Sequence, residues 1–139
     1  TEIYTLSLHD ALPIFPDVLI VEDNEVNRRL AALYLREICN TEMAENGYVA
    51  IEKIKRKKYD AILMDINLGA GPDGLSIAHQ VKNFEINKST PIIAVTGYTM
   101  HGDREKLLSN GCSHYLPKPY DKKTLLRLFS GILYGSQTS

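Results

Sequence analysis

Four short apolar runs in this chain each stop on a polar side chain, and that pattern restricts the available folds more than any other feature. Val18-Leu19-Ile20-Val21 stops at Glu22-Asp23, Ala61-Ile62-Leu63-Met64 stops at Asp65, Ile92-Ile93-Ala94-Val95 stops at Thr96, and Tyr115-Leu116-Pro117 stops at Lys118. Runs of this length read as buried strands. Burying them is favourable, whereas ending them on an unpaired charge is not, unless something nearby uses that charge. If all four run parallel, the polar ends meet at one edge of the sheet, which is where open α/β sheets bind ligands.

The segments between the runs supply the helices such a sheet needs. Asp17 to Glu22 is the first strand; Asn24 can cap the helix that follows. That helix is predicted from Glu25 to about Ile38, with Val26, Leu30, Leu33 and Ile38 at helical spacing and Arg28, Arg29, Arg36 and Glu37 on its wet face. Thr41 to Glu45 reads as a short strand near an edge, and Asn46-Gly47 as a turn. Ala50, Ile51 and Ile54 place a second helix from about Tyr48 to Lys57. Its basic end, Lys53, Lys55, Arg56, Lys57 and Lys58, reads as a solvated complement to the helix dipole. No aromatic residues interleave there, which argues against a nucleic-acid patch. The third strand, Asp60 to Asp65, precedes a Gly/Pro-rich loop; Leu75, Ala78 and Val81 then begin a helix running to about Phe84. Pro91 to Thr96 is the fourth strand. A helix from Met100 or Asp103 to Ser109 follows, then a strand from Ser113 to Pro117 and a helix from Lys122 to Leu133. Strand and helix thus alternate five times, the pattern of an α/β fold with a parallel sheet covered on both faces.

With 139 residues, 44% of them hydrophobic, the chain suits one packed domain. A formal net charge of -1 gives no global field toward nucleic acid or membrane, and no apolar run is long enough to span a bilayer. Cys39 and Cys112 form neither a CxxC nor a zinc spacing and read as reduced thiols of a cytoplasmic protein. Residues 1–16 look foreign to the rest. Thr1 to Ile14 resembles translated sequencing-adapter read-through, and a native linker is the alternative. The domain is therefore expected over 17–135, with a tail at 136–139.

The strand ends carry the chemistry. Glu22, Asp23 and Asp65, crowded together, repel unless a cation sits among them. Oxygen ligands of this kind suit Mg²⁺, which keeps several waters. Alone, Glu22-Asp23 fits a solvated turn or a helix cap equally well; with Asp65, Thr96 and Lys118 at the neighbouring ends, an acid pocket is the better reading. Asp65 is then the candidate phosphoryl acceptor. Lys118 would pair with Asp65 and with an incoming phosphoryl group, although a lysine is most often a surface residue. Lys118-Pro119 is a cis-peptide candidate. Thr96 could donate its hydroxyl to a phosphoryl oxygen or simply be a β-branched strand residue.

Val21-Glu22-Asp23-Asn24, Met64-Asp65, Val95-Thr96-Gly97 and Tyr115-Leu116-Pro117-Lys118-Pro119 together resemble the receiver domain of two-component response regulators, the CheY-like family. The resemblance covers about Asp17 to Leu133, and Val21 to Asn27 is especially similar to receivers of hybrid histidine kinases. It implies a five-stranded, doubly wound sheet of order 2-1-3-4-5 and a phosphorelay role. Asp65 would take a phosphoryl group from a phosphohistidine on a histidine kinase or phosphotransfer domain and lose it slowly by its own catalysis. Mg²⁺ would be held by Asp23, Asp65 and the Asn67 carbonyl, with Glu22 acting through water. Lys118 and Thr96 would meet the phosphoryl oxygens, with backbone contacts at Ile66 and Gly97. Thr96 and Tyr115 match the family's switch pair, and the readout face would be the fourth helix, fifth strand and fifth helix. That face would address an output partner, with dimerisation on activation as an option.

The loop Leu68-Gly69-Ala70-Gly71-Pro72-Asp73-Gly74 is slightly longer than the family's commonest form and is expected to bulge without touching the acid pocket. Tyr98 lies where attacking water would approach and is expected to slow loss of the phosphoryl group. His9, His79, His101 and His114 read as surface or boundary residues. Two other classes compete: an Asp-nucleophile phosphohydrolase, whose second acid is replaced by Asn67, and an interaction module that no longer accepts phosphate. A nucleotide-binding module would need a glycine-rich turn where Glu22-Asp23 stands. No output domain follows Ser139, so the chain reads as a stand-alone receiver or a piece of a longer protein.

Overall fold

The computed structural model describes residues 14–97 and 103–135. The readings of Tyr98, His9, His101, a helix start at Met100, and most of the N-terminal segment and tail lie outside those residues.

Five strands, β1 (Asp17–Val21), β2 (Asn40–Ala44), β3 (Ala61–Asp65), β4 (Ile92–Thr96) and β5 (His114–Pro117), form one sheet in the order β2-β1-β3-β4-β5. Every pairing is parallel. The helices are α1 (Glu25–Leu35), α2 (Gly47–Arg56), α3 (Gly74–Val81), α4 (Asp103–Ser109) and α5 (Lys122–Tyr134). This is the doubly wound arrangement the alternating pattern predicts.

Period-two alternation sorts the strand side chains into two cores. Leu19, Val21, Ile62, Met64, Ile92 and Ala94 face Ala50 and Ile54 of α2, Ile77, Ala78 and Val81 of α3, and Leu107 of α4. Val18, Ile20, Ala61, Leu63, Ile93 and Val95 face Ala31 and Leu35 of α1 and Leu125 and Phe129 of α5. Because β1, β3 and β4 are covered on both sides, their runs are almost continuously apolar.

Side-chain caps start four helices: Asn24, Asn46, Asp73 and Asp121 accept from the backbone N–H three residues on. Asn46, expected only to mark a turn, thus opens α2. Gly135 closes α5 at φ 57°, a left-handed conformation that suits glycine.

Three expectations need correction. First, α1 ends at Leu35, and Ile38 lies in the turn beyond it. Second, its core face is Ala31 and Leu35, whereas Val26, Leu30 and Leu33 are 72%, 41% and 49% exposed. Both sets satisfy helical spacing. The smaller set faces inward, and the bulkier stripe is left outside. Third, α3 ends at Val81 and not at about Phe84, and a short 3₁₀ turn, Glu85–Asn87, follows where the sequence predicts no element. Asn87, fully buried, explains it. Its amide donates to the carbonyls of Ile54 (2.6 Å) and Lys57 (2.7 Å), while its oxygen accepts from the Tyr59 amide and the Thr90 hydroxyl. The basic end of α2 is solvated, with Lys55, Arg56 and Lys58 exposed, and it makes contacts as well. Lys57 pairs with Glu42, Lys58 reaches the Thr90 hydroxyl, and Lys55 lies over the Phe84 ring. Cys39 and Cys112 are free and buried, His79 and His114 are exposed, and among the described residues no helix is long and apolar enough to cross a membrane.

Candidate functional site

The register of the sheet decides which side chains can meet. Val21 of β1 pairs with Met64 of β3, and Asp65 of β3 with Val95 of β4. Glu22 and Asp23 therefore leave β1 beside Asp65, and Thr96 ends β4 next to it. Thr96 in turn pairs with Pro117, so Lys118 follows at the same edge; its N–H donates to the Thr96 carbonyl at 2.8 Å.

Asp65 is 2% exposed and Glu22 7%, which is unusual for carboxylates. Lys118 Nζ lies 3.3 Å from Asp65 Oδ2 and 3.8 Å from Glu22 Oε1. Asp65 Oδ1 accepts from the Asn67 amide at 3.1 Å. Glu22 Oε2 accepts from the Asn24 amide at 3.1 Å. Burial above all pushes the Glu22 carboxyl up to about 7; the Asn24 bond and the Lys118 charge oppose this, and the Asp65 charge reinforces it. Lys118 thus faces two buried acids.

Oxygen atoms of Glu22, Asp23 and Asp65 all lie within 4.8 Å of one another. A cluster of three carboxylates, with no histidine or cysteine joining it among the described residues, fits a hard divalent cation better than a transition metal.

The other site residues named from the sequence divide into those the structure bears out, such as the cis Lys118-Pro119 peptide, and those it places differently, such as Ile66 and the 66–74 loop. The Ile66 N–H, a candidate phosphoryl contact, is committed to the Val95 carbonyl at 3.0 Å. The sheet ladder extends one residue past Asp65, so the backbone amide that faces its carboxylate is that of Asn67. Gly97 is exposed, and its Cβ position is open. Thr96 is 6% exposed, whereas Tyr115 is 38% exposed, so the two candidate switch residues stand on opposite sides of the surface boundary. The peptide Lys118-Pro119 is cis. The 66–74 loop does touch the acid pocket: the Gly69 amide donates to Asp23 Oδ2 at 3.0 Å.

Two residues were missed. Arg28, assigned to the wet face, turns back and donates to the carbonyls of Glu22 (2.9 Å) and Asp23 (3.3 Å), pinning the acidic turn. Its place one turn after the acid pair is the signal that could have revealed it. Tyr120, two residues after Lys118, is half-buried, and burial with the nearby Glu22, Tyr34 and Asp65 charges pushes its hydroxyl up to about 12.

The response regulator receiver domain model matches residues 18–130. The chain is 33% identical over 135 residues to signal transduction histidine-protein kinase BarA of Escherichia coli, which covers 96% of this chain and 15% of that kinase. It is 38% identical over 112 residues to hybrid signal transduction histidine kinase G of Dictyostelium discoideum, covering 78% of this chain and 3% of that protein. The chain therefore spans a small part of the length of these relatives. Among solved structures, the receiver domain of sensor histidine kinase PA1611 from Pseudomonas aeruginosa superposes with a TM-score of 0.78 at 34% identity, covering 86% of this chain and 98% of that one. That structure has a magnesium ion coordinated in its active site cleft. Chemotaxis response regulator CheY4 of Vibrio cholerae gives 0.80 at 26% identity, with 86% and 99% covered.

Proposed function

This chain belongs to the response regulator receiver domain family, and from that premise we propose that Asp65 accepts a phosphoryl group from a phosphohistidine on a histidine kinase or phosphotransfer partner. An Asp65 carboxylate oxygen attacks phosphorus, the P–N bond breaks, and the imidazole leaves with the bond's electron pair. The product is an acyl phosphate on Asp65. The observation that carries this reading is a buried aspartate with an ammonium 3.3 Å away and two further carboxylates in reach of one ion.

Mg²⁺ would be held by Asp23 and Asp65, with Glu22 beside them and the Asn67 carbonyl as the neutral ligand; when bound it supplies positive charge against the phosphoryl oxygens. Lys118, 3.3 Å from Asp65, supplies a second positive charge. The Asn67 amide, already turned to Asp65 Oδ1, would meet a phosphoryl group there, and so would the Thr96 hydroxyl. Thr96 and Tyr115 would form the switch, with Tyr115 moving inward from its exposed position. α4, β5 and α5 would then carry the signal to an output partner or to a second copy.

The donor must approach over the mouth of this pocket. Val26, Leu30 and Leu33 form an exposed apolar stripe on α1, and Leu30 lines a groove with Glu22, Asn27, Lys118, Pro119 and Tyr120. That stripe beside the acid site suits a helical partner presenting its phosphohistidine. A cytoplasmic setting fits such a partner.

Incubation with acetyl phosphate, with and without Mg²⁺, tests the reading by intact mass. The parent gains one phosphoryl group only with Mg²⁺, and Asp65→Asn gains none. Equal gain in Asp65→Asn would refute it. The phosphohydrolase alternative is disfavoured because Asn67 stands where its second acid is needed.

A further inference from the structure

The loop of residues 66–74 is wedged between the acid site and α2. Leu68, 8% exposed, is set into the core on the α2 side of the sheet. Gly71, at φ 82°, lies against Tyr48: a Cβ there would come within 2.6 Å of the ring. The Pro72 carbonyl sits 2.3 Å from where a Cβ on Gly47 would be, so it lies directly on the start of α2. At the far end, a Cβ on Gly74 would meet the Asp65 carbonyl at 2.4 Å, and the Gly74 N–H donates to the Ile66 carbonyl at 3.2 Å. These contacts hold the loop where its Gly69 amide meets Asp23 Oδ2.

Building on the phosphoacceptor reading, we infer that the Gly69 amide, held in place through Tyr48, determines which divalent cation the acid site accepts. The amide takes one of the lone-pair sites on Oδ2 and fixes how the carboxylate is turned, which disfavours its binding one ion through both oxygens at once. Mg²⁺ binds through one or two carboxylates, keeps several waters and demands near-octahedral geometry. Ca²⁺ takes about 6–8 oxygens and often both oxygens of one carboxylate. The amide therefore handicaps the larger ion and holds the carboxylate ready for the smaller. Gly69 and Tyr48 are positioning residues, acting through Asp23.

Calorimetric titration with Mg²⁺ and with Ca²⁺ tests this on the parent, Gly69→Pro and Tyr48→Ala. Gly69→Pro removes the donor; Tyr48→Ala removes the ring that Gly71 rests on. Both variants should bind Mg²⁺ roughly tenfold more weakly, the scale on which lost partners of metal ligands act, and Ca²⁺ at least as tightly as the parent does. Folded variants whose Mg²⁺-to-Ca²⁺ ratio equals the parent's overturn the inference. If a variant does not fold, amide exchange on the parent decides: Gly69 N–H should shift and exchange more slowly on Mg²⁺ loading, and a Gly69 signal indifferent to Mg²⁺ overturns the inference. A parent that binds no Mg²⁺ refutes the phosphoacceptor reading together with this one. A parent that binds Mg²⁺ with unaltered variants refutes this one alone.

Discussion

Burial puts electrostatic strain on Glu22 in the acid pocket. Its carboxyl, ordinarily near 4.5, is raised to about 7, chiefly by burial and in part by Asp65. A carboxyl whose folded value exceeds its unfolded one stays protonated longer in the fold. Its contribution to stability is full below the unfolded value and is lost as pH rises through the folded one. Metal-free protein should therefore lose thermal stability from about pH 5 to about pH 8, and Glu22→Gln should flatten that slope in a melting series. Lys118 is the counterweight: Lys118→Met should slow phosphorylation by acetyl phosphate by roughly 10²-fold, the usual scale for losing one charge-stabilising group. Single-turnover mass kinetics checks this. At this scale much was legible. Glu22, Asp23, Asp65 and Lys118 each end an apolar run, so their meeting follows once the strands are parallel. The Ile66 amide and Arg28 were not legible. The first depends on where the ladder stops, the second on a side chain folding back across a turn.

At the scale of elements, the strands were easier to read than the helices. β1, β3 and β4 are buried on both faces, so hydrophobicity alone marks them. α1 is harder because Val26, Leu30 and Leu33 share helical spacing with Ala31 and Leu35, and bulk suggests the wrong face. That outward stripe yields a prediction. Leu33→Asp should leave phosphorylation by acetyl phosphate unchanged but slow transfer from a phosphohistidine protein by about tenfold, the scale of a disrupted contact residue. Equal loss with both donors would place the defect in the pocket. The 3₁₀ turn belongs here as well. Asn87→Ala would strand the buried Tyr59 amide and the Ile54 and Lys57 carbonyls and should cost about 2 kcal/mol or more in urea unfolding. Little in the local sequence marks Asn87, since apart from Thr90 its side-chain partners Ile54, Lys57 and Tyr59 are about thirty residues away.

Across the whole molecule, the sheet order β2-β1-β3-β4-β5 is what turns four separate polar endings into one site. The order and the two-sided helix cover were readable from alternation and resemblance. The fit of the 66–74 loop against α2 was not, because it rests on glycine clearances that only three-dimensional packing reveals. The central claim concerns one carboxylate. Borohydride reduction of acetyl phosphate-treated protein, followed by peptide mass spectrometry, converts an aspartyl phosphate to homoserine and so reports its position. Homoserine at position 65, formed only with Mg²⁺ present, is the predicted result; homoserine at another aspartate, or none under conditions where Mg²⁺ is bound, would contradict the account.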